Sequence, residues 1–161
     1  MTKYFIRAAI IAALYAALSL IFHPISFNQI QVRISESLAI LPFFFPEAIW
    51  GLTIGCVLAN LSSPFGWVDI LFGSLCTLIA ALLTYQLRHT KKPWLGLIPP
   101  VLINAFGVGL YVSILTREPP SFQWLYYLSI VLFIAMGQII SVGGGGSLLI
   151  HFIHKYKEKL V

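Results

Sequence analysis

Arg33, Glu36, Glu47 and Asp69 lie between or inside long hydrophobic stretches, and Asn104, Tyr111 and Gln138 lie within them. A charged residue near the centre of a membrane helix costs roughly 2.5–3.5 kcal/mol on insertion scales, so such residues are kept for pairing, ion movement or ligand recognition. A buried amide must likewise find partners. Two carboxylates that accept, amides that both donate and accept, and nearby aromatic rings would suit a flat heteroaromatic ligand rich in N–H groups. Sodium or proton coupling is the competing use of the carboxylates, and hydrogen bonding between helices is the competing use of the amides.

Several of these positions also have a plainer reading. Arg33 and Glu36 could pair at the membrane surface, where an ion pair is worth little, or belong to an outer lid running from about His23 to Ser37 with Asn28, Gln29, Gln31 and Ser35. Asp69 follows the turn Ser62 to Trp67 and could cap a helix or complement its dipole. It could equally join Asn60 and Trp67 at an outer site. Glu47, after Pro46, reads as a residue of a helix N-terminus. Asn104, Gly107 and Tyr111 fall on one helical face at i, i+3 and i+7.

The elements that must position these residues follow from composition. With 161 residues, 59% of them hydrophobic and 9% charged, and a mean hydropathy of +0.92, the chain lies far from the average soluble domain. A span needs about 20 apolar residues, and five stretches qualify: Tyr4 to Phe22, Leu38 to Leu61, Val68 to Leu87, Trp94 to Leu115 and Phe122 to Phe152. Pro42 and Pro46 interrupt the second, and interior prolines break helices, so six helices are expected. Lys3 and Arg7 precede an apolar run without a small-residue cleavage site, which reads as a retained first helix. With both termini cytoplasmic, Lys3, Arg7, Arg88, Lys91, Lys92, Lys155, Lys157 and Lys159 fall inside, and only Arg33 and Arg117 fall outside, as the positive-inside rule asks. The expectation is an all-α integral membrane protein, one domain over 1–161, formed by a bundle of six transmembrane helices.

The net charge of +5 then belongs to topology and contact with an anionic bilayer, and not to nucleic-acid binding. Cys56 and Cys76 sit in apolar segments without metal or redox spacing and read as packing residues. Gly143 to Gly146 is not a phosphate loop, because no GK[ST] follows and the run lies inside the last span. It reads as a weakened helix or a close crossing. No ATP site, catalytic arrangement, metal site or cofactor site is legible, and no inverted repeat marks a self-sufficient carrier. In the first helix Ala9, Ala13 and Ala17 repeat every four residues beside Ala8, Ala12 and Ala16. Such a small-residue face admits another helix, either of the same bundle or of a partner. Gly51, Gly55 and Ala59 form a similar stripe, read as packing within the bundle.

The segments IQVRISESLAILPFFFPEAIWGLTIGCVLANL, VDILFGSLCTLIAALLTYQLR and PPVLINAFGVGL together resemble the queuosine-precursor S-components, the QueT family, of energy-coupling factor transporters. The resemblance runs in order from about Ile30 to Leu110. It implies six helices with cytoplasmic termini, a 7-deazaguanine captured outside, and energy supplied by a separate transmembrane coupling protein and two ATPase subunits. Gln31, Arg33 and Glu36 match the polar motif opening helix 2, Asn60 the end of helix 3, Asp69 the start of helix 4 and Asn104 the motif of helix 5. Trp67 or Tyr111 would stack on the ring. The resemblance also turns Ala9, Ala13 and Ala17 towards the coupling protein. The last helix departs from the family, which commonly has Gly-Glu where this chain has Gly137 and Gln138. An aminomethyl cation would lose a partner there, whereas a neutral cyano form would not. The remaining alternatives are an S-component for another vitamin, a solitary ion-coupled carrier and a membrane scaffold.

Overall fold

The structure is a computed structural model that describes residues 2–26, 32–117 and 123–160, with side chains as far as residue 156. Among the described residues all regular structure is helical. Apart from a four-residue helical turn at His23–Ser26, six segments follow in order: α1 Thr2–Ile21, α2 Ile34–Phe43, α3 Ala48–Asn60, α4 Asp69–Thr90, α5 Pro93–Leu115 and α6 Trp124–Tyr156. By length and composition α1, α4, α5 and α6 are each able to cross a membrane, while α2 and α3 are shorter at 10 and 13 residues.

Side-chain contacts show how far the short pair reaches. Along α1, Ser19 bonds Ser35 at 2.7 Å, Tyr15 bonds Glu36, and Arg7 meets Glu47 at 3.2 Å. The chain from α2 to the start of α3 therefore runs back beside α1 over most of its length. Ten residues manage this because α2 is wound in 3-10 turns, as in the Glu36 N–H to Arg33 carbonyl bond of 2.9 Å. A 3-10 turn rises about 2.0 Å per residue against about 1.5 Å in an α-helix. Helix α3 returns, bringing Asn60 to Arg33 at 3.2 Å and the Ser62 carbonyl to within 3.0 Å of His23 Nε2.

The remaining helices continue the alternation. Thr84 bonds the Gly96 carbonyl at 3.0 Å at one end of the α4–α5 pair, and Tyr111 bonds Asp69 at the other. Helix α6 then packs along α2, with Ser37 Oγ donating to the Ser141 carbonyl at 3.0 Å. Phe44 and His154 lie 6.1 Å apart between ring centroids, and the Arg7 guanidinium sits 5.4 Å from the Phe45 centroid. Both ends of the described chain thus lie at the same end of the bundle.

The alanine rows of α1 divide their work. A Cβ on Gly51 would lie 2.8 Å from the Ala8 carbonyl oxygen, and one on Gly55 would lie 2.8 Å from Tyr15 Cβ. The row of Ala8 and Ala12, with Ile11 and Tyr15, is therefore the seam with α3, and Gly51 and Gly55 pack inside the bundle as expected. Ala9, Ala13 and Ala17 remain exposed. Ala9 and Ala13 border an apolar groove of about 1000 Å³ floored by α1 and α3, with Trp50, Ile54 and Leu58 on its far wall.

Three long helices widen locally into π turns, at Asp69–Gly73 in α4, Asn104–Val108 in α5 and Ile139–Gly145 in α6. Single π turns inside α-helices recur at functional sites. Of the two readings of the glycine run, the close crossing is what the structure shows: a Cβ on Gly145 would run into the Ser37 side chain, and Gly143 to Gly145 lie within the π turn of α6.

Candidate ligand-binding site

Helix α2 begins at Ile34, four residues before the apolar run that sequence marks out, so Glu36 and Ser37 belong to a helix and not to the outer loop. Arg33 stands at its N-cap position. Arg33 and Glu36 are both buried, and the carboxylate that Arg33 approaches is Asp69, at 3.5 Å. A surface pair of Arg33 with Glu36 is therefore replaced by a pairing across the bundle.

Around that pair an outer tier closes on itself. Asn60 accepts from Arg33 and donates to the Asp69 carbonyl at 2.8 Å. The two Asp69 carboxylate oxygens accept separately from Ser63 and Tyr111. Asp69 is fully buried in the first turn of its helical segment, where a carboxylate complements the helix dipole, and its two oxygens are engaged by the network in place of a capping bond. Gly73 permits this arrangement, since a Cβ there would lie 3.0 Å from Asn60 Nδ2 and 3.2 Å from the Tyr111 hydroxyl. Four helices and the preceding turn meet in these side chains. Such a buried, interlinked set holds its geometry because breaking one contact strands the others.

A deeper tier lies towards the middle of the bundle. Glu36 Oε1 accepts from the Tyr15 hydroxyl at 2.5 Å, and the Asn104 side chain lies nearby. Ser37, the next residue, bonds the Ser141 carbonyl on α6. Since α2 and α6 run in the same direction, Gln138, one turn outward of Ser141, is level with Glu36. Gln138 is buried and its Oε1 has no hydrogen-bond partner. Unlike the outer tier, this one retains an unused acceptor.

The structure thus gathers Arg33, Asn60, Asp69 and Tyr111 in one tier and sets Asn104 near Glu36 in the other, with Gln138 buried on α6 one turn before the residue that Ser37 meets. Trp67, two residues before Asp69, is 67% exposed. Gln31 lies outside the described residues. Tyr15 and Ser63 escaped the sequence reading. Ser63 had no signal beyond its turn, but Tyr15, a polar-tipped ring within an alanine-rich helix, was legible as a residue whose hydroxyl needs a partner once buried. Glu47 stands at the N-cap position of α3, as expected of a helix-terminus residue, without a side-chain capping bond, and it also pairs with Arg7. Both cysteines are free, and Cys56 is buried where Asn60 and Thr77 donate weakly to its sulfur at 3.4 and 3.3 Å.

Formal charge bears on what this interior can hold. One buried cation, Arg33, serves two buried carboxylates, Asp69 at 3.5 Å and the more remote Glu36, so the interior carries an excess of acceptor charge. A ligand offering N–H groups or a positive charge complements such a site, and an acidic ligand does not.

Comparisons with known proteins are consistent with these features. The chain matches the family model described as QueT transporter over residues 5–155. It is 42% identical over 132 residues to a protein of Lactococcus lactis subsp. cremoris (strain MG1363) named queuosine precursor transporter QueT, covering 74% of this chain and 78% of that relative. No solved structure matches the chain significantly.

Proposed function

This chain belongs to the QueT transporter family, and from that premise we propose that it is the substrate-capture subunit, or S-component, of an ATP-driven importer for a queuosine precursor. The ligand is a 7-deazaguanine, in its aminomethyl or cyano form or as queuine. The observation that carries this reading is the deeper tier, where the buried Glu36 carboxylate and the unpartnered Gln138 amide oxygen both call for donors. The guanine-like edge of a deazaguanine offers a ring N–H beside an exocyclic amine, a donor pair suited to one carboxylate. Glu36 accepts from that edge, Asn104 and Gln138 fix the ring, and Arg33, Asn60, Asp69 and Tyr111 form the outer wall.

All six helical segments span the cytoplasmic membrane in this reading, with both termini in the cytoplasm as the Lys/Arg distribution favours. The chain delivers its ligand inward with a coupling protein and, through it, two ATPase subunits. The exposed face of Ala9, Ala13 and Ala17 meets the coupling protein, because close helix approach in lipid relies on small side chains.

Calorimetric titration of the detergent-purified protein with the aminomethyl and cyano deazaguanines, queuine, guanine and thiamine tests the proposal. Tight binding of at least one deazaguanine, with guanine much weaker, supports it. A response to thiamine alone would replace the substrate, and precursor uptake that persists without any ATPase partner would replace the transport mode with ion-coupled carriage.

A further inference from the structure

Gln138 is 2% exposed, yet its side-chain oxygen has no hydrogen-bond partner. Ser141, one turn further along α6, likewise has a buried hydroxyl without one. Leaving such atoms unpaired is unfavourable, and an apolar side chain of similar size would avoid it. Stability therefore does not account for an amide at this position, whereas a ligand does. The level of the amide is fixed by Ser37, which bonds the Ser141 carbonyl and directly follows Glu36 in sequence. Gln138 thus faces the interior from the helix that packs against α2, while Glu36 faces it from α2.

We infer that Gln138 reads the substituent on carbon 7 of the deazaguanine ring, and that its amide admits both the aminomethyl and the cyano form. The inference rests on the deazaguanine reading and adds to it which residue governs discrimination between precursors. With Glu36 engaged by the guanine-like edge, the substituent is the part left to meet Gln138. An amide presents an oxygen that accepts from an ammonium and, after rotation by half a turn, an N–H that donates to a nitrile. A carboxylate at the same point would accept only, and would favour the cation. The buried Arg33–Asp69 pair is already matched in charge and does not impose the choice.

The test is the ratio of dissociation constants for the aminomethyl and cyano forms, measured by calorimetry on the purified full chain and on two variants. The parent is expected to bind both forms. Gln138→Glu should shift the ratio towards the aminomethyl form by about tenfold or more, as a charge-assisted bond replaces a neutral one. Gln138→Leu, which keeps the volume and removes both hydrogen-bonding groups, should weaken both forms while preserving the thermal transition. A parent that binds only one form, or a ratio unmoved in Gln138→Glu while Gln138→Leu binds both forms like the parent, would overturn the role of Gln138. Failure of the parent to bind either form would instead remove the deazaguanine reading on which the inference stands.

Discussion

The Tyr15 hydroxyl donates to Glu36 Oε1 at 2.5 Å, and both side chains are buried. This bond ties the inward face of α1 to the deeper tier, and Ser19 with Ser35 ties it again one turn outward. The opposite face of α1 carries the exposed alanines. A displacement of α1 would therefore act directly on the residue proposed to hold the ligand edge.

Replacing Tyr15 with Phe removes one donor and keeps both the ring and the Cβ that packs against Gly55. A hydrogen bond to a charged group is worth about 1.5–3 kcal/mol. Thermal unfolding in detergent should show a loss in that range, with ligand affinity falling as Glu36 is released. In a double-mutant cycle with Glu36→Gln the two effects should be markedly non-additive; simple additivity would sever Tyr15 from Glu36 in function.

Asp69→Ala strands the Arg33 guanidinium and the Tyr111 hydroxyl in the bundle. Breaking one side of a buried ion pair typically costs about 3–5 kcal/mol. Asp69→Asn should be milder, because an amide oxygen still accepts from Tyr111. Unfolding curves that rank the alanine and asparagine variants equally would count against the outer tier as a structural latch.

The two rows of α1 should respond oppositely to added bulk. Gly55→Val forces a side chain into Tyr15 and Ala12, and overpacking of this kind costs about 1–3 kcal/mol. Ala13→Leu projects from the exposed face and should leave both stability and ligand affinity unchanged while abolishing uptake in cells. Uptake at the parental rate in Ala13→Leu cells would rule out that face as the coupling surface.

Trp50, Trp67, Trp94 and Trp124 are between 59% and 67% exposed, so ligand in the interior should change tryptophan fluorescence little. Trp67→Phe is expected to bind the precursor within about twofold of the parent, since it removes no stacking contact of the 1–3 kcal/mol size that a base on an aromatic ring provides. A large calorimetric loss in this variant would bring Trp67 back to the ligand.

Orientation can be read in cells from single cysteines placed in a chain carrying Cys56→Ala and Cys76→Ala. A membrane-impermeant thiol reagent should label Ser62→Cys from outside and should reach Lys91→Cys only after the membrane is opened. The reverse pattern would invert the topology.

Much of the protein was legible because apolar length and the positions of lysine and arginine are one-dimensional properties. The all-helical class, the helix break near Pro42 to Pro46, and the inward use of the Gly51 and Gly55 stripe all follow from residue type and spacing. The interior residues could be named from the energy of burying Glu36, Asp69, Asn104 and Gln138 in an apolar chain. What sequence could not decide was who meets whom. Arg33 has Glu36 three residues away in the chain, yet it lies beside Asp69, because α3 and α4 bring Asn60 and Asp69 to the start of α2. Two equally plausible alanine rows on α1 were separated only when Gly51 and Gly55 packed against one of them. Nor does any local pattern announce that Asp69 and Asn104 open π turns and that Gln138 directly precedes one. Hydrophobicity and helix propensity act residue by residue and are written along the chain. Hydrogen-bond partners and close approaches depend on the relative depth and rotation of packed helices, which exist only once the bundle has formed.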